Sequence, residues 1–185
     1  TLTDFTFMVA SKAKLFVNSP NALDGNNVSK CDSASAEFQS TESGIVDVVA
    51  DETAIYAKIR ELVTMLPGNN EDDASSEDCT DDLNRVCADL ANCVGDTSIA
   101  LSTIADNNAF FEVKENFAKD MVTGFIRLNG ITVGCVANRT EVYSAEGEVT
   151  DKYDAVLSAD GCEKAADLIN ICDAFDIPVL TLTNV

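Results

Sequence analysis

The pattern of apolar and polar positions is clearest over residues 121–138, MVTGFIRLNGITVGCVAN. Two runs of β-branched and apolar residues, 122–128 and 131–137, flank the dipeptide Asn129-Gly130. A type I′ turn needs φ > 0 at both central positions, and Asn-Gly tolerates that best. The stretch therefore predicts a β-hairpin. Gly124 and Gly134 interrupt its strands, where glycine marks a bulge or the close approach of another backbone.

The rest of the chain can be arranged around this hairpin. Residues 5–9 and 14–17 are short apolar runs on either side of Ser11-Lys12, and read as consecutive buried strands. Residues 18–27 collect Asn, Ser, Pro, Asp and Gly, which is loop chemistry. A weak helical pattern over 33–43, through Ala34 and Phe38, ends at Gly44, and 45–49 reads as a strand. Asp51 is the expected N-cap of a helix, with Glu52 favouring its dipole. Ile55, Ile59, Leu62, Val63 and Leu66 then share one helical face until Pro67-Gly68 stops it.

Residues 67–82 are polar, acidic and almost free of apolar side chains, so they read as a solvated linker. Their carboxylates lack the D-x-[DN]-x-[DN]-G spacing of a calcium loop. Leu83, Val86, Cys87, Leu90 and Val94 predict a second amphipathic helix, ended by Gly95. Residues 97–105 fit helix or strand, and 110–113 predict a strand leading toward the hairpin. After it, 140–151 read as a polar loop. Ala165, Leu168, Ile169, Cys172 and Phe175 form a third helical face that starts near Asp160. Pro178 follows, and 179–185 read as a buried strand. Hairpin, helix and buried strand make a ββαβ unit, and the earlier part repeats mixed α/β order. The pattern thus predicts two α/β subdomains joined by the acidic linker.

Composition narrows the possible functions. With 185 residues, 46% of them hydrophobic, the chain can bury a core in one domain or two small ones. Its net charge of −20 repels phosphate backbones and anionic membrane surfaces, which argues against nucleic-acid and membrane partners. The seven cysteines contain no C-x-x-C pair and there is no histidine. That disfavours structural zinc and removes Ser-His and Cys-His nucleophilic schemes within this chain. An odd number of dispersed thiols fits a reducing cytosol, so a cytoplasmic protein is expected. No apolar run is long enough for a transmembrane segment, and no signal peptide is read. Asn27 and Asn138 begin Asn-x-Ser/Thr triplets, which carry no meaning in a cytosolic protein. Thr1 opens in mid-pattern and Val185 closes inside an apolar run, so both ends read as cut.

Several stretches carry a family resemblance. They are Gly124-Phe125-Ile126-Arg127-Leu128-Asn129-Gly130, Thr132-Val133-Gly134 and Val136-Ala137-Asn138, then Glu163-Lys164-Ala165-Ala166, Cys172-Asp173-Ala174-Phe175 and Ile177-Pro178-Val179. Upstream, residues 2–9, Ser43-Gly44-Ile45-Val46-Asp47 and Leu66-Pro67 belong to the same pattern. In this order the chain resembles the carboxyltransferase subunits of biotin-dependent acyl-CoA carboxylases and decarboxylases. The resemblance implies an α/β fold of the crotonase-like (ClpP/crotonase) kind, with the end of the N-domain and the start of the C-domain present. Residues 1–68 would close the first domain, 69–95 would be the acidic linker and helix, and 96–185 would open the second.

It further implies transfer of carboxylate between carboxybiotin and an acyl-CoA of the propionyl or methylmalonyl type. Biotin would arrive on a biotin carboxyl carrier protein. The other partners would be biotin carboxylase or membrane decarboxylase subunits, and the full-length chain would form a homo-oligomer. Catalysis in the family rests on paired backbone amides that stabilise the acyl-CoA enolate and the biotin ureido oxyanion, as preorganised donors do where charge develops. Both glycine loops are expected outside residues 1–185, so no catalytic residue is expected within them and the stretch alone should be inactive. Asn184 stands where many members have Asp.

Two substrate contacts are implied. Asn18, Ser19, Pro20 and Asn21 match the loop that borders the acyl pocket in crotonase-like folds, with an ordinary strand-ending turn as the alternative. Arg127 matches a contact to a CoA phosphate, with a solvated hairpin residue as the alternative. Two other functions stay open at this point: a non-catalytic acidic assembly module of the same fold, and a CoA-binding crotonase homologue without biotin.

Overall fold

A computed structural model describes residues 3–16, 32–88, 90–93, 95–144 and 146–183. Asn18, Ser19, Pro20, Asn21, Asn27, Cys31 and Asn184 lie outside the described residues.

The first elements are β1 (Phe7–Val9), α1 (Ala36–Thr41), β2 (Val48–Ala50) and α2 (Glu52–Met65). β1 and β2 pair in parallel, Phe7 opposite Val48. Ser35 caps α1 by accepting the Phe38 amide at 3.1 Å. Asp51 caps α2 by accepting the amides of Thr53 and Ala54 at 2.8 and 2.9 Å, as its sequence position predicts. The elements that follow are α3 (Thr97–Ile104), β3 (Phe110–Val113), β4 (Met121–Leu128), β5 (Ile131–Asn138), β6 (Glu141–Tyr143), β7 (Val149–Lys152), α4 (Ala159–Ala174) and β8 (Val179–Leu182).

The hairpin is β4–β5. It runs in register from Leu128 opposite Ile131 to Met121 opposite Asn138. Asn129 and Gly130 have φ of 52° and 79°, the type I′ geometry. The turn amides are held as well: Asp106 accepts Asn129 N at 3.1 Å and Gly130 N at 2.6 Å. The sheet order is β3-β4-β5-β8, with β8 parallel to β5 after the α4 crossover. The ββαβ unit is therefore present.

Strand alternation sends neighbouring side chains to opposite faces. On one face Phe111, Phe125 and Val136 pack with Leu62 and Met65 of α2 and with Leu168 and Cys172 of α4. On the other, Val122, Ile126 and Cys135 pack with Leu101 and Ala105. Gly134 lies directly beneath Cys172, and a Cβ there would overlap the cysteine sulfur. The close approach expected of this glycine is thus a helix side chain, not a backbone.

Several expectations are corrected. Residues 14–16 do not form a buried strand, and Val17 lies outside the described residues. Lys14 makes an isolated bridge to Ser35, and Phe16 is 52% exposed. Leu83, Val86 and Leu90 do not form an amphipathic helix. Among the described residues of that region there is one 3-10 turn, Leu90–Cys93, and Val86 is 86% exposed. The reason is Arg85, whose guanidinium donates to Thr103 O at 2.7 Å and Ala105 O at 2.6 Å and pairs with Asp81 at 2.8 Å. These bonds cap the end of α3, and no core face is offered to a helix over 83–94, without which so short a helix is marginal.

The acidic linker is not free in solvent along its whole length. Thr132 N donates to Ser75 O and Glu77 N to Gly130 O, both at 3.0 Å, so 75–77 occupy the edge of β5 ahead of β8. The predicted polar loop contains the small antiparallel pair β6–β7. β8 is an edge strand with Val179 exposed, and Ile59, Val63 and Ile169 face solvent from otherwise apolar helical faces.

Candidate functional site

Arg127 stands at the hairpin end of β4, opposite Thr132. Its Nη1 is ion-paired with Glu77 of the linker, and its Nη2 donates to Thr64 O at the C-terminal end of α2. A cation is favoured there by the helix dipole. Nε of Arg127 and Oγ1 of Thr132 are buried without hydrogen-bond partners among the described residues. The guanidinium thus ties the sheet to α2 and to the linker and is not a freely solvated side chain.

A second constellation lies at the far end of the hairpin. Arg139 follows β5 directly and is 5% exposed. Its Nε donates to Lys119 O, Nη1 is 3.5 Å from Asp96 Oδ1, and Nη2 is 3.6 Å from Glu112 Oε1. Asp96 in turn caps α3 through the Ser98 amide at 3.1 Å and accepts Tyr143 N at 3.3 Å. Lys164 of α4 is 1% exposed and donates to Phe117 O at 2.8 Å and Met121 O at 2.7 Å. Burial pushes the Lys164 amine down, with Glu112 pulling the other way. Burial likewise pushes the Glu112 carboxyl up, against the pull of Arg139 and Lys164. Two cations and two anions therefore hold the ends of β3, β5, α3 and α4 together.

Beside this network a cleft of about 440 Å³ opens between the chain entering β1, the approach to β2 and the outer face of α4. Asp47, Lys114 and Asp167 line it. Lys114 Nζ is 2.6 Å from Asp167 Oδ2. Asp47 is 7% exposed, and burial raises its carboxyl from 3.8 to about 6.

The chemistry this arrangement can perform is limited. Burial pushes Cys135 up to about 12 and Cys172 up to about 11, so both are inert thiols at neutral pH. Among the described residues, no group of three His, Cys, Asp or Glu is placed to hold a metal ion. The ionic groups are spent on backbone carbonyls and on one another, and act as a frame.

Pattern reasoning assigned no role to Lys164, Arg139, Glu112 or Asp47. Lys164 carried a visible signal, a lysine on the apolar face that also holds Leu168 and Cys172. A charge in that position is rarely solvated.

The comparisons place this framework. The family described as "Carboxyl transferase domain" matches residues 1–185. The propionyl-CoA carboxylase beta chain of Roseobacter denitrificans is 33% identical, over 100% of this chain and 36% of that protein. The methylmalonyl-CoA decarboxylase subunit alpha of Propionigenium modestum is 31% identical over the same shares, 100% and 36%. A solved transcarboxylase 12S hexamer, with methylmalonyl-coenzyme A and methylmalonic acid bound, superposes with a TM-score of 0.81 at 30% identity, over 98% of this chain and 35% of that one. The chain thus spans about a third of the length of the relatives it matches.

Proposed function

The chain belongs to the carboxyl transferase family, and from that premise we propose that it is part of a biotin-dependent carboxyltransferase moving carboxylate between carboxybiotin and an acyl-CoA of the propionyl or methylmalonyl type. Its fold is the crotonase-like α/β fold of such enzymes. The observation that carries the proposal is the match of all 185 residues to proteins of this one chemistry.

The buried charge network explains what this part contributes. It fixes the sheet ends and α4 so that amide donors elsewhere in the enzyme can be preorganised, which is where oxyanion chemistry obtains its rate. In this reading both oxyanion loops lie outside residues 1–185. Residues 1–68 complete one crotonase-like domain, 69–95 connect, and 96–185 begin the next. Asn18, Ser19, Pro20 and Asn21 border the acyl pocket, and Arg127 offers its guanidinium to a CoA phosphate when Glu77 gives way. Biotin is carried in by a carrier protein, biotin carboxylase or membrane decarboxylase subunits complete the assembly, and the enzyme works as a homo-oligomer in the cytoplasm. No helix among the described residues is long and apolar enough to cross a membrane.

The test is propionyl-CoA-dependent loss of carboxylate from carboxybiotin, measured side by side for the 185-residue chain and for the polypeptide that carries it. Turnover by the longer polypeptide and none by the chain alone is expected. Comparable turnover by both would move the chemistry onto residues described here as framework. Inactivity of the longer polypeptide with its carrier present would favour a non-catalytic assembly module.

A further inference from the structure

Asp47 occupies a joint between four parts of the fold. Thr6 N donates to Asp47 Oδ2 at 2.6 Å, and Asp47 N donates to Thr6 O at 2.9 Å, which anchors the chain entering β1. Lys114 N donates to Asp47 O at 2.9 Å, which anchors the end of β3. Lys114 Nζ then reaches Asp167 of α4. The carboxyl itself is nearly closed off from solvent, between the cleft beside α4 and a second of about 480 Å³ beside α2 and α3.

The groups around it compensate a negative charge poorly. Asp4 faces the first cleft from the chain entering β1, Lys114 from the end of β3, and Glu163, Lys164 and Asp167 from α4. Lys58 of α2, Glu112 of β3 and Glu115 beyond it face the second. Acids outnumber bases, and the cations are committed: Lys114 to Asp167, Lys164 to two carbonyls, and Lys58 to Glu61. A buried carboxylate is stabilised by several amide donors or a dedicated cation. The donors here are the Thr6 amide and, more weakly, its own.

We propose that Asp47 is a protonation-controlled joint, which locks the chain entering β1 against β3 and α4 when its carboxyl is neutral and loosens that attachment when the carboxyl ionises. The upward displacement of this carboxyl agrees in direction. The sign follows by linkage. A carboxyl whose folded pKa lies above its unfolded value contributes stability that is complete below the unfolded value of 3.8 and is lost as pH rises through about 6.

The experiment is amide exchange at residues 3–9, corrected for intrinsic rates, at pH 5 and pH 8. Wild-type protection there should fall by about 10-fold, since about one pH unit of the displacement, from pH 5 to about 6, lies inside this window. Amides of the β4–β5 hairpin, measured in the same samples, should change far less. Asp47→Asn keeps the acceptor oxygen but cannot ionise, and should flatten the fall to within about 3-fold, under half a pH unit of linkage. An equal fall in Asp47→Asn, or no fall in wild type, overturns the proposal. Carboxyl ¹³C titration of wild type decides the matter even if the variant fails to fold. A midpoint near 6 is expected for Asp47, and one at or below 4 overturns the joint. Asp167→Asn frees Lys114 to face Asp47 and should lower that midpoint.

Discussion

Replacing Gly130 by alanine tests how the linker is seated on the hairpin. Gly130 has φ of 79°, and a Cβ on it would overlap the carbonyl oxygen of Glu77. The left-handed conformation costs an alanine about 1–2 kcal/mol. The overlap is with backbone, so it is relieved only if residues 75–77 withdraw. Withdrawal breaks the Glu77–Gly130 and Ser75–Thr132 hydrogen bonds, each contributing about 0.5–1.5 kcal/mol net. The total loss is about 2–5 kcal/mol, against about 5–15 kcal/mol for a whole domain. At about 2–4 °C per kcal/mol for a chain of this size, Tm should fall by roughly 4–20 °C. Urea melts give the free energy, and limited proteolysis over residues 71–82 reports release of the linker. Asn129→Gly is the control. It keeps φ > 0 available at the neighbouring position and touches no linker backbone, so it should change stability by less than about 1 kcal/mol. A loss under about 1 kcal/mol for Gly130→Ala, with unchanged cleavage in the linker, would refute the seating of 75–77 on the turn.

Lys164→Met removes the donor of Phe117 O and Met121 O and should cost about 1–3 kcal/mol at pH 7 in urea melts. Because burial holds the Lys164 amine below its usual 10.5, the unfolded chain binds more protons in the window up to 10.5. Wild-type stability should therefore gain from this group as pH rises toward 10, and the variant should lack that gain. Thiol titration should find all seven cysteines free after denaturation without reductant. In the native protein the exposed Cys162 should react first and the buried Cys135 and Cys172 last. One native disulfide would contradict the reduced state.

The hairpin, the cap at Asp51 and the α4 face were legible because each depends on residues within a few positions of one another, whereas the Ser35 cap of α1 was not read from the sequence. What failed depended on distant partners. Leu83, Val86 and Leu90 have helical spacing, but Arg85 is held by carbonyls 18 and 20 positions away, and no apolar surface receives the face they would make. The run 14–17 is apolar enough for a strand, yet among its described residues the backbone pairings are those of Lys14 with Ser35 and Leu15 with Ala34. Arg127 was legible as a noteworthy arginine. Its attachment to Glu77 and Thr64, each at least 50 positions away, left no trace in the local pattern. The family resemblance reached further because it matched whole stretches in order. It did not indicate that Asp47 and Lys164 are buried.

The contact between Gly134 and Cys172 has a consequence for how this sequence can vary. One pocket of space is shared by a strand position and a helix position 38 residues later, and it is full. Any enlargement at 134 requires a smaller residue at 172, and a bulkier 172 lifts α4 from β5 whatever stands at 134. The two positions should therefore vary as a pair. A lineage could exchange Gly-Cys for Ala-Gly only by passing through an overfilled or a hollow intermediate, so the pair should drift together or remain fixed while the exposed face of the same helix diverges freely.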